Sequence, residues 1–338
     1  MTVDPGSIPP LVGPATGSAN PAASLTSLWS YIQPAADHMV RAPTNTPGKA
    51  PALAFDYHMG IHTAVYNYFT TRTGANGAGA GSDFYELLDG YFGDVAREAL
   101  LGVPEDERLV QYLLPCFQRY SAGAGAMSRL LNYTNRQFVK RAIDEDRGWL
   151  RLADVIEDVA EAVRNRESHS KLAARLRARR DGELVRWGWD GSPADVSRAE
   201  AAAEAASPPD RVVPLASLAH RRFRTEIVEP LLKVPKAKKK NKGKAKAKEG
   251  GGGGGGSAAG AGLAAVAGFG TGVEKAGPKG RLARAVKVLL EGNIVSPDER
   301  LRLVRELFDM LRAVGVPPEQ PLCRKLAKVI DASATTGT

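Results

Sequence analysis

The chain has 338 residues and a formal charge of +9, with 46 basic and 37 acidic side chains. Eight of those basic residues are lysines in the tract KAKKKNKGKAKAK, 236–248; setting them aside leaves 38 bases against 37 acids, so the rest of the chain is nearly neutral. Two cysteines, Cys116 and Cys323, exclude a disulfide framework and Cys-based metal spacing and fit a reducing compartment. No apolar run approaches the length of a membrane span, and the N-terminus lacks the pattern of a signal peptide, so the expected location is cytoplasmic, nuclear or both.

Residues 1–23 are rich in Pro, Gly, Ser and Ala and are expected to be disordered. A helical period then starts at Leu25 and continues through Leu28, Trp29, Ile32, Ala36 and Met39. After a proline-punctuated loop, a second helix is expected from about Ala52 to Arg72, ending in the glycine-rich spacer Gly74–Ser82. Ser82 serves as the expected N-cap of a third helix whose apolar set is Phe84, Leu87, Leu88, Tyr91, Val95 and Leu100. Pro104 and the acids after it open a fourth, with Leu109, Tyr112, Leu113, Cys116, Phe117 and Tyr120 inward. Ala126 to about Ala142 reads as a fifth, burying Met127, Leu131, Thr134 and Phe138.

From 149 to 210 the composition shifts to Arg, Ala and Glu, which reads as an insertion. Amphipathic patterning returns at 211–232, through Leu215, Leu218, Phe223, Ile227, Val228 and Leu231. The lysine tract and seven consecutive glycines, 250–256, form a flexible linker over 233–280. Helices resume at 281–331, one opened by the capping sequence Ser296-Pro297-Asp298-Glu299; residues 332–338 are expected to form a disordered tail. No useful strand alternation occurs, so the expected fold class is all-α, with long disordered insertions.

Two helices carry more than the one apolar stripe that folding requires. In the second, Tyr57, Ile61, Val65 and Tyr68 suffice for a core face, while His58, His62 and Tyr66 form another row at i, i+4, i+8. In the fifth, Tyr133 and Arg136 lie outside the core set and are of the types that anchor interfaces. A second row of large side chains fits a partner.

These motifs resemble the N-terminal repeat of cullins, the scaffolds of multisubunit ubiquitin ligases. Leu25-x-x-Leu28-Trp29 is similar to the first helix of that repeat. Met59-x-Ile61-x-Thr63-x-Val65-Tyr66-Asn67-Tyr68 is similar to the second, and Leu131-x-x-x-Asn135-Arg136-x-Phe138-Val139-x-Arg141 with Asp144-Glu145 to the fifth. Leu215–Ala219, Phe223-Arg224 and Pro230-Leu231 resemble the stretch that follows, and Leu282–Asn293 the start of a second repeat.

The resemblance implies a five-helix repeat at 24–148. It also implies an adaptor of Skp or BTB fold bound by His58, Met59, His62, Tyr66, Tyr133 and Arg136. Histidines at 58 and 62 stand where cullins usually place aromatics, which makes the implied interface more polar. Nothing in the chain resembles the cullin C-terminal region, so no RING subunit is expected on it.

Other chemistries are poorly supported. His58 and His62 lack the third ligand and neighbouring acid of a metal site, so no metal is expected. The glycine loop lacks the Gly-Lys-Ser/Thr ending of a phosphate cradle. Neither cysteine nor the five histidines form a catalytic set, so a non-enzymatic role without cofactor is expected. Lys236, Lys238, Lys239, Lys240 and Lys242 fit a nuclear-import signal or a plain linker. A different reading takes the tract as the arm of a helical nucleic-acid or chromatin-associated protein. Such binding would be weak and salt-sensitive, and no aromatic is interleaved from 234 to 268 to stack on bases.

Overall fold

The computed structural model describes residues 8–14, 20–41, 48–71, 78–155, 160, 164–165, 168–234, 280–292 and 295–335. The fold is all-α. Among the described residues there are eleven helices and no strand, apart from an isolated bridge pairing Leu11 with Leu53.

The N-terminal helices are α1 (Leu25–Val40), α2 (Phe55–Thr71), α3 (Ala78–Leu101) and α4 (Leu109–Leu130). Then comes α5 (132–147), a run of α and wider π turns broken at its end by Asp146 at φ 61°. Next are α6 (His169–Arg186), α7 (Pro193–Ala206) and α8 (215–232). The last three are α9 (Arg281–Glu291), α10 (Pro297–Ala313) and α11 (Pro321–Thr335).

Local chemistry starts several of these. The Ser24 hydroxyl accepts from the Ser27 N–H at 3.0 Å to cap α1, and Ser296 accepts from Glu299 N–H at 3.3 Å to cap α10. The Glu299 carboxylate turns to Arg302 instead of closing a reciprocal box.

One contiguous core runs from Ala22 through α1–α5 and α8–α11 to Leu326. The helices 211–232 and 281–331 therefore share the hydrophobic interior of the first five. The expected inward set of the fifth helix, Met127, Leu131, Thr134 and Phe138, is buried, and so is the full amphipathic set of 211–232.

Glycines mislead at two boundaries. A Cβ on Gly123 would stand 2.6 Å from the Met39 carbonyl oxygen and 2.8 Å from Val40 Cα. That glycine lets α1 cross α4 at close range, and α4 runs through it to Leu130, beyond the expected start of the fifth helix at Ala126. A Cβ on Gly81 would stand 2.7 Å from Phe138 Cδ2. Here α3 begins at Ala78, inside the expected spacer, and Ser82 lies within the helix rather than capping it.

The Arg/Ala-rich insertion, expected to be disordered, is largely ordered from 168 to 210. Alanines pack against larger side chains there: Ala199, Ala202 and Ala203 form a second apolar cluster with Leu184 and Trp187, flanked by Trp149 and Trp189. Alanine is the strongest helix former and loses no side-chain entropy on burial, so a stripe of alanines can order without a conspicuous hydrophobic signal. Within 1–23, expected to be disordered, the described residues 8–14 and 20–23 make ordered contacts. The Leu11 N–H donates to Ala52 O at 3.3 Å, the Ala54 N–H donates to Leu11 O at 3.0 Å, and Pro21–Ala23 form a 3-10 turn.

Helix α8 is tied to the rest by polar groups. Asn135 Oδ1 accepts from the Leu215 N–H at 3.1 Å, and the Tyr85 hydroxyl donates to Val213 O at 2.9 Å while accepting from the Val213 N–H at 3.0 Å. Arg222 forms a bidentate pair with Asp89 of α3. Past α8, Gly280 lies against the Leu232 carbonyl, so the described segments on either side of residues 235–279 come together.

Candidate docking face

Helix α2 places its two rows on opposite sides. Tyr57, Ile61, Val65 and Tyr68 are buried, and the Tyr57 hydroxyl donates to Tyr31 O at 2.6 Å. Burial pushes that phenol up to about 12. Opposite them, His58 and His62 are exposed, Met59 is 44% exposed and Tyr66 is 47% exposed. An uncovered methionine and tyrosine on a helix whose other face already fills the core is the departure from ordinary packing that marks a contact surface.

Helix α5 lies beside α2 and contributes the other half. Its buried positions Thr134, Phe138 and Val139 hold it to the core, with the Tyr85 and Phe138 rings 5.3 Å apart. Tyr133 is half-buried. Its ring meets Tyr66 edge-on at 5.3 Å and 71°, and meets Phe69 at 5.6 Å and 78°. Edge-to-face aromatic pairs of this kind add about 0.5–1.5 kcal/mol beyond their burial. They also fix each ring's orientation, giving a preformed aromatic ridge across the two helices.

The structure thus brings Tyr66 and Tyr133 into direct contact. It keeps His58, Met59 and His62 on the same exposed side of α2, and leaves Arg136 exposed one turn past Tyr133. Lys236, Lys238, Lys239, Lys240 and Lys242 lie outside the described residues.

Three members of this face were not picked out from the sequence. Phe55, 75% exposed at the first turn of α2, extends the apolar row by one turn, and its i, i+4 relation to Met59 was the available signal. Phe69 supports Tyr133 from below. Lys140 stands exposed at i+4 from Arg136.

Elsewhere the titratable groups are structural. Buried Glu204 of α7 accepts from the Ser217 hydroxyl at 2.6 Å, and burial pushes its carboxyl up to about 7. Arg221 donates to Arg211 O and to the Ser207 hydroxyl, both at 2.9 Å. The His220 ring lies 2.9 Å from the Ser121 hydroxyl, and burial pulls it down to about 4, so it is neutral. Burial also raises both thiols, Cys323 to about 11, which leaves neither a ready nucleophile. Among the described residues, no group of three or more His, Cys, Asp or Glu side chains is placed to hold a metal ion. No described helix is long and apolar enough to cross a membrane.

The site therefore defines an all-α bundle with a preformed aromatic contact face. Compared with protein-family models, curated proteins and solved structures, the chain matches none.

Proposed function

We propose that the chain is a cullin-like, non-catalytic scaffold that docks an adaptor of Skp or BTB fold on the α2–α5 face, in ubiquitin-dependent protein catabolism in the cytoplasm or nucleus. The observation that carries the reading is the edge-on Tyr66–Tyr133 contact, which joins the exposed rows of two helices into one ridge. Side chains outside the inner rows lie there: Met59, Tyr66 and half-buried Tyr133 supply apolar area, and His58, His62 and Arg136 supply polar edges. Large aromatic and Arg side chains near the centre of a contact carry most of the energy in protein interfaces.

Calorimetric titration of the full chain with purified Skp-type and BTB-type adaptors tests this. Saturable binding that Tyr66→Ala and Tyr133→Ala each weaken at least tenfold, in folded protein, supports the reading. Absence of binding to both adaptor classes by the folded protein overturns it.

A further inference from the structure

The α2–α5 face is apolar on one side and basic on the other. Arg136 and Lys140 on α5 and Arg129 in the last turn of α4 are all exposed, with Tyr133 lying between them in sequence. Among the described residues none of these three cations makes an ion pair or a side-chain hydrogen bond. Some other arginines of this bundle do find carboxylates: half-buried Arg41 holds Glu98 at 2.8 Å, and exposed Arg141 and Arg186 hold Glu145 at 2.8 Å and Glu319 at 2.7 Å, while exposed Arg305 holds none among the described residues.

The acids around the row do not neutralise it: Asp144, at i+4 from Lys140, makes no ion pair with it among the described residues. Asp56 occupies the first turn of α2, where the helix dipole already favours it, and Glu145 is engaged by Arg141 and Arg147. Like charges at i, i+4, as in Arg136 and Lys140, destabilise a helix slightly rather than support it. This chain offers them no compensating partner in its described residues, so the compensation is expected from outside.

Resting on the docking reading above, we infer that the occupant of this face is an acidic protein surface. Its carboxylates would meet Arg136 and Lys140 while an apolar strip covers Phe55, Met59 and Tyr66. The apolar half distinguishes a protein from a nucleic acid: Phe55 and Met59 offer area to bury and no charge for a phosphate. The basic half selects among proteins, because a partner bringing lysines to Arg136 would meet like charge, which costs several kcal/mol at an interface. Opposite charge also raises the association rate, and that gain is lost as salt is added.

The test uses the full chain, its double charge reversal Arg136→Glu/Lys140→Glu, and the control reversal Arg305→Glu on α10. Circular dichroism and thermal melts first establish that all three are equally folded. Binding is then measured by fluorescence anisotropy at low and high NaCl. The probes are Skp-type and BTB-type adaptors, a Leu/Glu amphipathic helical peptide, its Leu/Lys counterpart and a DNA oligonucleotide.

The expected result is binding of an adaptor and of the Leu/Glu peptide, weakened about tenfold or more by the double reversal and by high salt, and untouched by Arg305→Glu. Adaptor binding that ignores the double reversal overturns the acidic-partner inference and leaves the docking reading standing. Binding of the Leu/Glu peptide at this face without binding of any adaptor overturns the docking reading and leaves the inference standing. Preference for the Leu/Lys peptide, or for DNA over both peptides, overturns the inference. Binding to none of the probes overturns both.

Discussion

The α2–α5 face and the α7–α8 seam are inverses of one another. At the face, large apolar and aromatic side chains stand in solvent beside cations with no partner. In the seam and beside it, a carboxylate, an arginine, three serines and a histidine are largely taken out of water, and they bond within the chain: Glu204 to Ser217, Arg221 to Ser207 and to the Arg211 carbonyl, His220 to Ser121. A buried polar group left unpaired costs about 1–3 kcal/mol, and the seam meets most of that demand internally, with Arg221 Nε and Arg211 Nε and Nη1 left buried without a hydrogen-bond partner among the described residues. The face is left incomplete by the same chain. What is satisfied internally holds the fold; what is left unsatisfied outside is available for recognition.

The largest effect that separates the two kinds of residue lies within α5. Phe138→Ala removes a buried ring packed on Tyr85 and is expected to cost about 3–5 kcal/mol in urea unfolding. A loss below about 1 kcal/mol would mean that α5 is not held by its inner row, and the contrast with Tyr133 and Arg136 would collapse.

Next is the pH response of the seam. Burial raises Glu204 from 4.5 to about 7, so the fold prefers the protonated acid; that contribution is full below pH 4.5 and lost as pH rises towards 7. Burial lowers His220 from 6.5 to about 4, so the fold prefers the neutral ring; that contribution is full above pH 6.5 and lost as pH falls towards 4. The two oppose each other in between. Glu204→Gln keeps an acceptor for Ser217 and removes the ionisable group. It is expected to raise stability at pH 8 by on the order of 2–3 kcal/mol and to leave the acid-side loss from His220 exposed in a pH series. An unchanged profile would show that the seam is hydrated.

The meeting of Leu232 and Gly280 supplies a third test. Replacing 235–279 with a short Gly/Ser connection shortens the closed loop roughly tenfold, which is expected to stabilise the bundle by about 2 kcal/mol. Destabilisation would mean that the stretch contributes contacts of its own. The smallest effects belong to the face: Tyr66→Ala is expected to lower stability by about 1 kcal/mol through the lost ring pair, and Arg136→Ala by no more than about 0.5 kcal/mol in thermal melts. A larger loss for Arg136 would transfer it from recognition to structure.

Much of this was legible along the chain. Helical periodicity reports burial directly where side chains are large, so the all-α class, the inner rows of α2, α5 and α8 and the outward position of His58, His62, Tyr66 and Arg136 followed from spacing, while Met59 entered only through the family resemblance. Periodicity does not report small residues. The alanine stripe of α7 and the glycines at 81 and 123 read as disorder, spacer or helix end, because their role is to let another element approach and that element is remote in sequence. The pairing of Tyr66 with Tyr133 across 67 positions, the closure of Leu232 on Gly280 and the neutral His220 between α4 and α8 likewise depended on helix placement. The sequence by itself determined which faces each helix must bury, since the 3.6-residue repeat is a local property. Only the tertiary structure decided which leftover faces lie side by side, because that depends on how closely the backbones cross.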